Sequence, residues 1–398
     1  MAKAKKKRRV IQSHSIGALK EAAAKNFGVE GAYVGSEHGK YFRGIPFQSI
    51  ALEYLFGSNM LILGMTYGIS GPPQSFKSAL ALEFIRLLLS YGGSGFHVET
   101  EGRKISAPML EAILGKHIDD VVMRPVDSVE KAQDALTWAV DFEKTSFPDK
   151  NNLLALAIDS LSGAATEERA ESIAKEGHAK RDFSSEALYW SKWLNTYGSK
   201  LAGWPMALFI VNHEKPKMED KTGHGKTITG GWAQQFYATT YLSVRRVGEN
   251  RGATHTITAL SIKSSKNSFG EYNRKILVPF IYGHKGVTMT FDWGHAAAQM
   301  LLDNAAKVKE FLEVKSSSPS MTAQTRTFSC KQLGVTQVSG EEFGLALQAQ
   351  PELLEQLRSA PLGITRYKLF EGAMPDSIGE KVETAECGPD DTMDDIDP

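Results

Sequence analysis

Cysteine is scarce: Cys330 and Cys387 are the only two in 398 residues. Neither stands at metal-like spacing from a partner, which argues against a zinc site and for a reducing compartment. No apolar run is long enough to span a bilayer, and the basic start lacks the apolar segment of a signal peptide. The protein is therefore expected to be soluble and intracellular. Net charge is missing as well, since 46 Lys plus Arg balance 46 Asp plus Glu. Any preference for nucleic acid must lie in local charge. No internal repeat is evident. What is present is a 42% hydrophobic fraction, enough for a sizeable core, in a chain long enough for one large α/β domain and an appendage.

The most informative stretch is Gly71-Pro72-Pro73-Gln74-Ser75-Phe76-Lys77-Ser78. It follows a buried-type strand over Met65 to Ile69 and opens an amphipathic helix over Ala79 to Leu89, with Leu80, Phe84 and Leu87 on one face. Strand, tight loop and helix place backbone N–H groups and a positive helix end around anionic oxygens. A lysine reaches the β and γ phosphates and a hydroxyl ligates Mg²⁺. Lys77 and Ser78 supply these, so the loop reads as an ATP site. Phe76 replaces the second glycine of the usual G-x-x-x-x-G-K-[ST] pattern. It is expected at the first helical position with ordinary right-handed φ and ψ, its ring turned away from the phosphates.

Three further segments belong beside this loop. Phe96 to Glu99 reads as a strand that delivers Glu101, placed to orient and deprotonate a water for attack on the γ phosphate. The apolar run from Leu153 to Ile158 ends in Asp159-Ser160, and Asp159 would support the Mg²⁺ that Ser78 ligates. Met206 to Val211 reads as a strand ending in Asn212-His213, where His213 could sense the γ phosphate. Between these strands the spacing of Ala187, Trp190, Leu194, Tyr197 and Leu201 predicts a helix.

Two stretches read as loops. Residues 162–183 carry Lys175, His178, Lys180 and Arg181, and residues 214–231 carry Lys215, Lys217, Lys221, His224 and Lys226 among four glycines. Positive charge on a freely turning backbone suits phosphate contact, and an unstructured loop that long is usually functional or disordered. Beyond them, Tyr241 to Val247, Ala253 to Lys263, Lys275 to Tyr282 and Val287 to Phe291 read as strands, which makes the sheet mixed. Tyr282, closing the third of these, is counted among the nucleotide contacts.

The ends differ sharply. Lys3, Lys5, Lys6, Lys7, Arg8 and Arg9 form a solvated basic run, open to a DNA-contact, a solubility or, in a eukaryotic host, a nuclear-import reading. From Ser15, the residues Ile16, Leu19, Ala23 and Phe27 recur at helical spacing up to Gly28, with a stripe that docks on another subunit or on the chain's own core. Residues 1–44 are set apart as this tail and oligomerisation helix. The core runs 45–313, residues 314–320 are a Ser-rich linker, 321–379 a small helical unit, and 380–398 an acidic disordered tail holding Asp390, Asp391, Asp394, Asp395 and Asp397.

Taken together these residues resemble the RecA-like strand-exchange recombinases, and within them the phage branch represented by UvsX. The loop from Gly71 to Ser78 has Phe before its lysine, as that branch does. Thr229-Gly230-Gly231 with Ala233, Phe236-Tyr237-Ala238 and Arg245-Arg246 is similar to the run closing the second DNA-binding loop of bacterial RecA. Ala18-Leu19 with Phe27-Gly28, and Ile45 with Ser49 and Leu52, resemble the segment through which these proteins polymerise. The match runs from about Ser15 to Phe291.

The resemblance implies a RecA-like P-loop NTPase core with a mixed, mainly parallel sheet flanked by helices. It implies ATP and Mg²⁺ as cofactors, and a helical filament on single-stranded DNA that pairs it with a homologous duplex, helped by single-strand-binding and loading proteins. Lys77 and Ser78 bind nucleotide and metal, Glu101 is the general base, and Asp159 supports Mg²⁺. Residues 162–183 and 214–231 are the two DNA loops. Lys263 and Lys266 are the candidates for contact with a neighbour's γ phosphate, although neither reproduces the family's Lys-x-Lys or Lys-Ser-Arg segment. His213 stands where bacterial RecA has glutamine. A phage-encoded protein in the cytoplasm or nucleoid of a bacterial host is the expected setting. Two rival readings are a hexameric RecA-fold helicase or motor and a non-hydrolysing ATP-binding DNA-coating or mediator protein.

Overall fold

Short apolar runs, separated by amphipathic stretches, build a ten-stranded mixed sheet with helices on both faces. The computed structural model describes Lys25 and residues 42–102, 105–176, 185–216, 226–228, 233–283, 289–323, 326–359 and 361–371. The basic run, the helix expected from Ser15 apart from Lys25, and the acidic end lie outside the described residues.

The described chain enters through β1 (Arg43–Pro46) and α1 (Ile50–Phe56). Ser49 caps this helix by accepting from the Ala51 amide, and Gly57 ends it in the left-handed conformation. After β2 (Met60–Ile62), β3 (Met65–Gly71) runs through the phosphate loop into α2 (Lys77–Leu89). The parallel half continues with β4 (Ser94–Glu99), α3 (Ala107–Leu114), β5 (Val121–Pro125), α4 (Val129–Ser146) and β6 (Leu154–Asp159). It ends with α5 (Glu167–Glu176), α6 (Ser185–Leu201) and β7 (Met206–Pro216). Then come β8 (Lys226–Ile228), α7 (Ala233–Tyr237), β9 (Thr240–Arg251), β10 (His255–Asn267), β11 (Lys275–Gly283) and β12 (Met289–Phe291).

The strand order is β12-β11-β10-β9-β3-β7-β6-β4-β5, with β8 paired to β7. Strands from β9 across to β5 are mutually parallel, and the β9-to-β12 side is antiparallel. Every residue of β6 is buried, as a parallel strand covered on both faces requires. Ala155 and Ala157 face the layer holding α1 and α2, where small side chains let α2 approach, while Leu156 and Ile158 face α4 and α6.

Both expected loops contain regular structure. Within 162–183, α5 is a helix with Glu167 and Glu168 in its first turn and Lys175 in its last, charges that suit the helix dipole. Its apolar residues, Ala170, Ile173 and Ala174, are few and exposed, so no long apolar period marked it. Within 214–231, β7 runs on to Pro216 and pairs antiparallel with β8, Lys215 opposite Thr227 and Pro216 opposite Lys226. Ladder hydrogen bonds need backbone groups and not apolar side chains, so a Lys- and Gly-rich composition hid this hairpin.

The chain closes with α8 (Trp293–Asp303), α9 (Ala305–Val308), β13 (Val314–Ser316), β14 (Phe328–Cys330), β15 (Val335–Val338), α10 (Gly340–Gln348), α11 (Pro351–Arg358) and β16 (Lys368–Leu369). The expected linker is corrected here: Lys315 and Ser316 belong to β13, in a three-stranded sheet with β14 and β15. The expected helical unit is α plus β, and it shares the core. Phe328, Phe343 and Leu357 belong to the same buried cluster as Leu80 and Phe84 of α2. A Cβ on Gly294 of α8 would lie 2.1 Å from the Gly340 carbonyl oxygen, so only glycine permits this approach of α8 and α10. Ile45, Ser49 and Leu52, read as part of a polymerisation segment, are buried within this chain.

Candidate nucleotide and DNA site

The parallel strands end together, and that alignment assembles the site. Register pairs Gly71 with His213, Glu99 with Asp159, and Asp159 with Val211. The C-terminal ends of β3, β4, β6 and β7 therefore form one rim, where open α/β sheets bind ligands.

The phosphate loop is shaped by close packing. A Cβ on Gly71 would lie 2.2 Å from the Val244 carbonyl oxygen and 2.7 Å from Ser75 Oγ, so glycine is required. Ser75 is buried and donates to the Pro72 carbonyl at 2.9 Å. Pro72 is half-buried, and Pro73 and Gln74 are exposed. Gln74 and Phe76 both adopt positive φ, 58° and 61°. This corrects the expectation for Phe76, which is the cap of α2 in the left-handed region and not its first right-handed residue. It holds the backbone shape a glycine would take, and it is kept there by aromatic packing. Its ring lies 4.5 Å from that of Phe280 and 6.0 Å from that of Tyr282, with the Arg246 guanidinium 5.8 Å above it. The cap makes no side-chain hydrogen bond to the first turn of α2, so no cap side chain competes for those amides.

Lys77 is buried, and its Nζ donates to the Pro72 carbonyl at 2.8 Å and to Ser75 Oγ at 3.4 Å. Burial lowers its proton affinity, against the pull of Asp159, Glu101 and Glu214. Burial pushes the Asp159 carboxyl up to about 6, while a hydrogen bond from the Ser78 hydroxyl pulls the other way. Ser78 and Asp159 are thus adjacent oxygen donors. Among the described residues no cluster of three or more His, Cys, Asp or Glu could hold a metal alone. That donor set fits Mg²⁺, which binds one or two protein oxygens and completes its shell with phosphate and water.

Glu101 is fixed by its neighbours. Its Oε1 accepts from Ser160 Oγ at 2.7 Å and meets His213 Nε2 at 2.6 Å. Thr100 sets this up: its Oγ1 donates to the Ser160 carbonyl at 2.6 Å and accepts from the Ser160 amide at 3.0 Å. A Cβ on Gly163 would come within 2.3 Å of Thr100 Oγ1 and 2.7 Å of Glu101 Cγ. Glu99 is buried elsewhere, accepting from the Ile105 amide at 3.2 Å. The geometry therefore favours Glu101 over Glu99 as the carboxylate facing the site.

Lys77, Ser78, Glu101, Asp159 and His213 converge, and Tyr282 reaches the site only through Phe76. Lys266 is half-buried, its Nζ donating to the Gln235 and Phe236 carbonyls at 2.9 and 2.6 Å, where it caps α7. Lys263 is exposed on β10. Lys175 is paired with Glu171 at 3.1 Å on α5. Lys215 and Lys226 lie in β7 and β8. Lys180, Arg181, Lys217, Lys221, Thr229, Gly230 and Gly231 lie outside the described residues.

Sequence reasoning missed Thr100, Ser160 and Gly163. It also missed Glu214, whose carboxylate accepts from Ser243 Oγ at 3.1 Å and Arg245 Nη2 at 2.8 Å. Only Ser160 carried a signal, following Asp159 directly.

Comparison with known proteins agrees with this geometry. The family model described as RecA N-terminal domain matches residues 16–288. Protein RecA of Levilactobacillus brevis is 27% identical over 252 residues, covering 62% of this chain and 62% of that protein. Protein RecA of Lactiplantibacillus pentosus is 28% identical over 257 residues, covering 63% of each. Protein RecA of Thermus thermophilus is 26% identical over 325 residues, covering 80% of this chain and 84% of that protein. The chain thus spans about three fifths of the length of the first two relatives. Among the described residues no helix is long and apolar enough to cross a membrane.

Proposed function

The chain belongs to the RecA N-terminal domain family, and from that premise we propose that it is a DNA-dependent ATPase that forms filaments on single-stranded DNA and catalyses homologous pairing and strand exchange. One observation carries the reading. A single strand, β7, holds His213 against Glu101 and at the next residue, Glu214, begins its lysine-bearing pairing with β8. The same strand thus joins the nucleotide rim to the lysines proposed to meet DNA. Phe76 before Lys77, and His213 in place of glutamine, support placing the chain in the phage UvsX-like branch, acting within a bacterial host.

In this reading the loop amides and Lys77 Nζ bind the β and γ phosphates of ATP, and Ser78 and Asp159 hold Mg²⁺. When bound, Mg²⁺ supplies positive charge to the phosphate oxygens. Glu101 positions a water and takes its proton as the water oxygen bonds to the γ phosphorus and the bond to ADP breaks, giving ADP and phosphate. Ser160 and His213 orient that carboxylate. Lys215, Lys217, Lys221 and Lys226 contact DNA phosphates, with Thr229, Gly230 and Gly231 closing the loop, and Lys175, Lys180 and Arg181 act from the first loop. Lys263 and Lys266 are proposed to reach a neighbouring subunit's nucleotide.

The test is electron microscopy with single-stranded DNA and a slowly hydrolysed ATP analogue, combined with phosphate release. Helical filaments and DNA-stimulated turnover are expected, with Glu101→Gln lowering turnover by ~10² to 10⁴-fold while ATP and DNA still bind. Lys77→Ala should lose nucleotide-dependent DNA binding. Closed rings that unwind tailed duplexes would indicate a helicase, and absent DNA-stimulated phosphate release a non-hydrolysing coating protein.

A further inference from the structure

We propose that Arg245 acts on ATP through Glu214: by pairing with that carboxylate it cancels a negative charge at the foot of the phosphate loop that would otherwise repel the phosphates. This role rests on the nucleotide-site reading above.

Strand register explains where the carboxylate stands. β3 runs between β7 and β9 and stops at Gly71, whose partner on β7 is His213. Glu214 therefore lies one residue past the end of β3, and its side chain reaches over to β9. Its Oε1 accepts from Ser243 Oγ at 3.1 Å and from the hydroxyl of Ser70, the residue before Gly71, at 3.5 Å. Those contacts leave Oε2 turned to Arg245, whose Nη2 donates to it at 2.8 Å. The Glu214 side chain is 9% exposed and that of Arg245 42%, so the carboxylate is largely desolvated while the guanidinium opens to solvent. Alternation along β9 divides the two neighbouring arginines. Arg245 turns to Glu214, whereas Arg246 turns to the opposite face, over the Phe76 ring and beside Glu249.

The charges at the rim give this pair its role. Asp159, Glu101 and Glu214 all draw on the Lys77 ammonium, and ATP brings several further negative charges. Two of the three carboxylates suit that ligand. Asp159 stands by Ser78, where Mg²⁺ would bind, and Glu101 is held by Ser160 and His213 to meet the water. Glu214 lies on the other face of the sheet, where neither the metal nor the water of that reading needs it. Ionised and unpaired, a carboxylate so buried would oppose the hold of Lys77 on the phosphates through a medium that screens poorly. Arg245 removes that opposition. It is a positioning residue, and the group it acts through is Glu214.

Calorimetric titration of the full chain with ATP and Mg²⁺, without DNA, tests this in wild type, Arg245→Met, Arg245→Lys, Glu214→Gln and the double variant Arg245→Met with Glu214→Gln. Arg245→Met should bind ATP about fivefold or more weakly, the scale of one uncompensated charge at an effective dielectric near 20. The loss should be smaller for ADP, which carries less charge. Arg245→Lys keeps the charge and should stay within about twofold of wild type, as should the double variant, in which neither charge remains. Glu214→Gln should bind ATP at least as tightly as wild type. A role in packing alone would weaken both single variants and leave the double variant at least as weak, so a double variant no better than Arg245→Met would overturn the proposal. Wild-type affinity in Arg245→Met, or equal losses in Arg245→Met and Arg245→Lys, would overturn it too. Should the arginine variants fail to fold, Glu214→Gln still decides, because weaker ATP binding there contradicts repulsion by Glu214. A wild-type chain that binds no ATP would count against the nucleotide-site reading and this role together, whereas ATP binding indifferent to these charges would overturn the role alone.

Discussion

Phe76 and His97 show how single residues bear costs that the surrounding structure sets. A left-handed backbone at a non-glycine residue costs about 1–2 kcal/mol, and Phe76 offsets it by packing on Phe280 and Tyr282. Phe76→Ala keeps the strain and loses the rings, whereas Phe76→Gly loses the rings and the strain. Even after about 0.5–1 kcal/mol of glycine entropy, unfolding in denaturant should rank wild type above Phe76→Gly and Phe76→Gly above Phe76→Ala. An alanine variant as stable as the glycine variant would refute the strain. His97 lies fully buried in β4 with no side-chain partner for its ring among the described residues, and burial lowers its pKa from 6.5 to about 4. His295, beside the Arg326 guanidinium, is lowered to about 3 by burial and that charge. A depressed folded pKa means stability present above the unfolded value and lost as pH falls through the folded one. Acidification from pH 6.5 towards 4 should thus cost on the order of 3 kcal/mol at most through His97. Asp159, raised to about 6 by burial, works in the opposite sense, since its contribution is present below pH 3.8 and lost as pH rises through 6. Urea midpoints at pH 7.5 and 5.0 should fall less for His97→Leu than for wild type, and equal slopes would clear His97 of this role.

At the scale of elements, the hairpin of β7 and β8 joins the nucleotide rim to the proposed DNA surface. Replacing Lys215, Lys217, Lys221 and Lys226 together should weaken single-stranded DNA binding and flatten its salt dependence, by about 0.7 in log-log slope for each lost phosphate contact. ATP affinity measured without DNA should stay within twofold or so, because the proposed phosphate loop lies between β3 and α2 and not on the hairpin. A salt titration with unaltered slope would move the DNA to another surface, the basic run from Lys3 to Arg9 first. The strands at the rim were legible because a doubly covered parallel strand must be apolar throughout, as Leu154 to Ile158 are. α5 and β8 were not, because a charged surface helix with three small or exposed apolar residues and a three-residue lysine-bearing strand give too short an apolar period to read.

At the scale of the whole molecule, an ion pair ties the two ends of the described chain together. Arg358 of α11 makes bidentate contact with Glu53 of α1, both bonds at 2.7 Å, and the Glu53 side chain is 3% exposed. Burial raises the Glu53 pKa despite this partner, so desolvation outweighs pairing there. Arg358→Ala would leave a buried carboxylate unpaired and should cost about 3–5 kcal/mol, whereas Glu53→Met with Arg358→Leu should recover most of it. Denaturant unfolding of the two variants decides the matter, and equal losses would show that the pair acts through packing alone.

The sequence by itself determined most strands of the sheet and which residues meet at its rim. Lys77, Ser78, Glu101, Asp159 and His213 were singled out because phosphate, metal and water each require a particular group at the end of a strand, and such requirements are local in the chain. Tertiary structure alone decided three other things. Ser160 and Thr100 orient Glu101, Phe76 holds a glycine's backbone, and residues thought to form a separate C-terminal unit share the main core and return to β1. Each depends on contacts between segments remote in sequence, for which composition and periodicity hold no record: the Phe76 ring is supported by Phe280, and β1 is covered by β16.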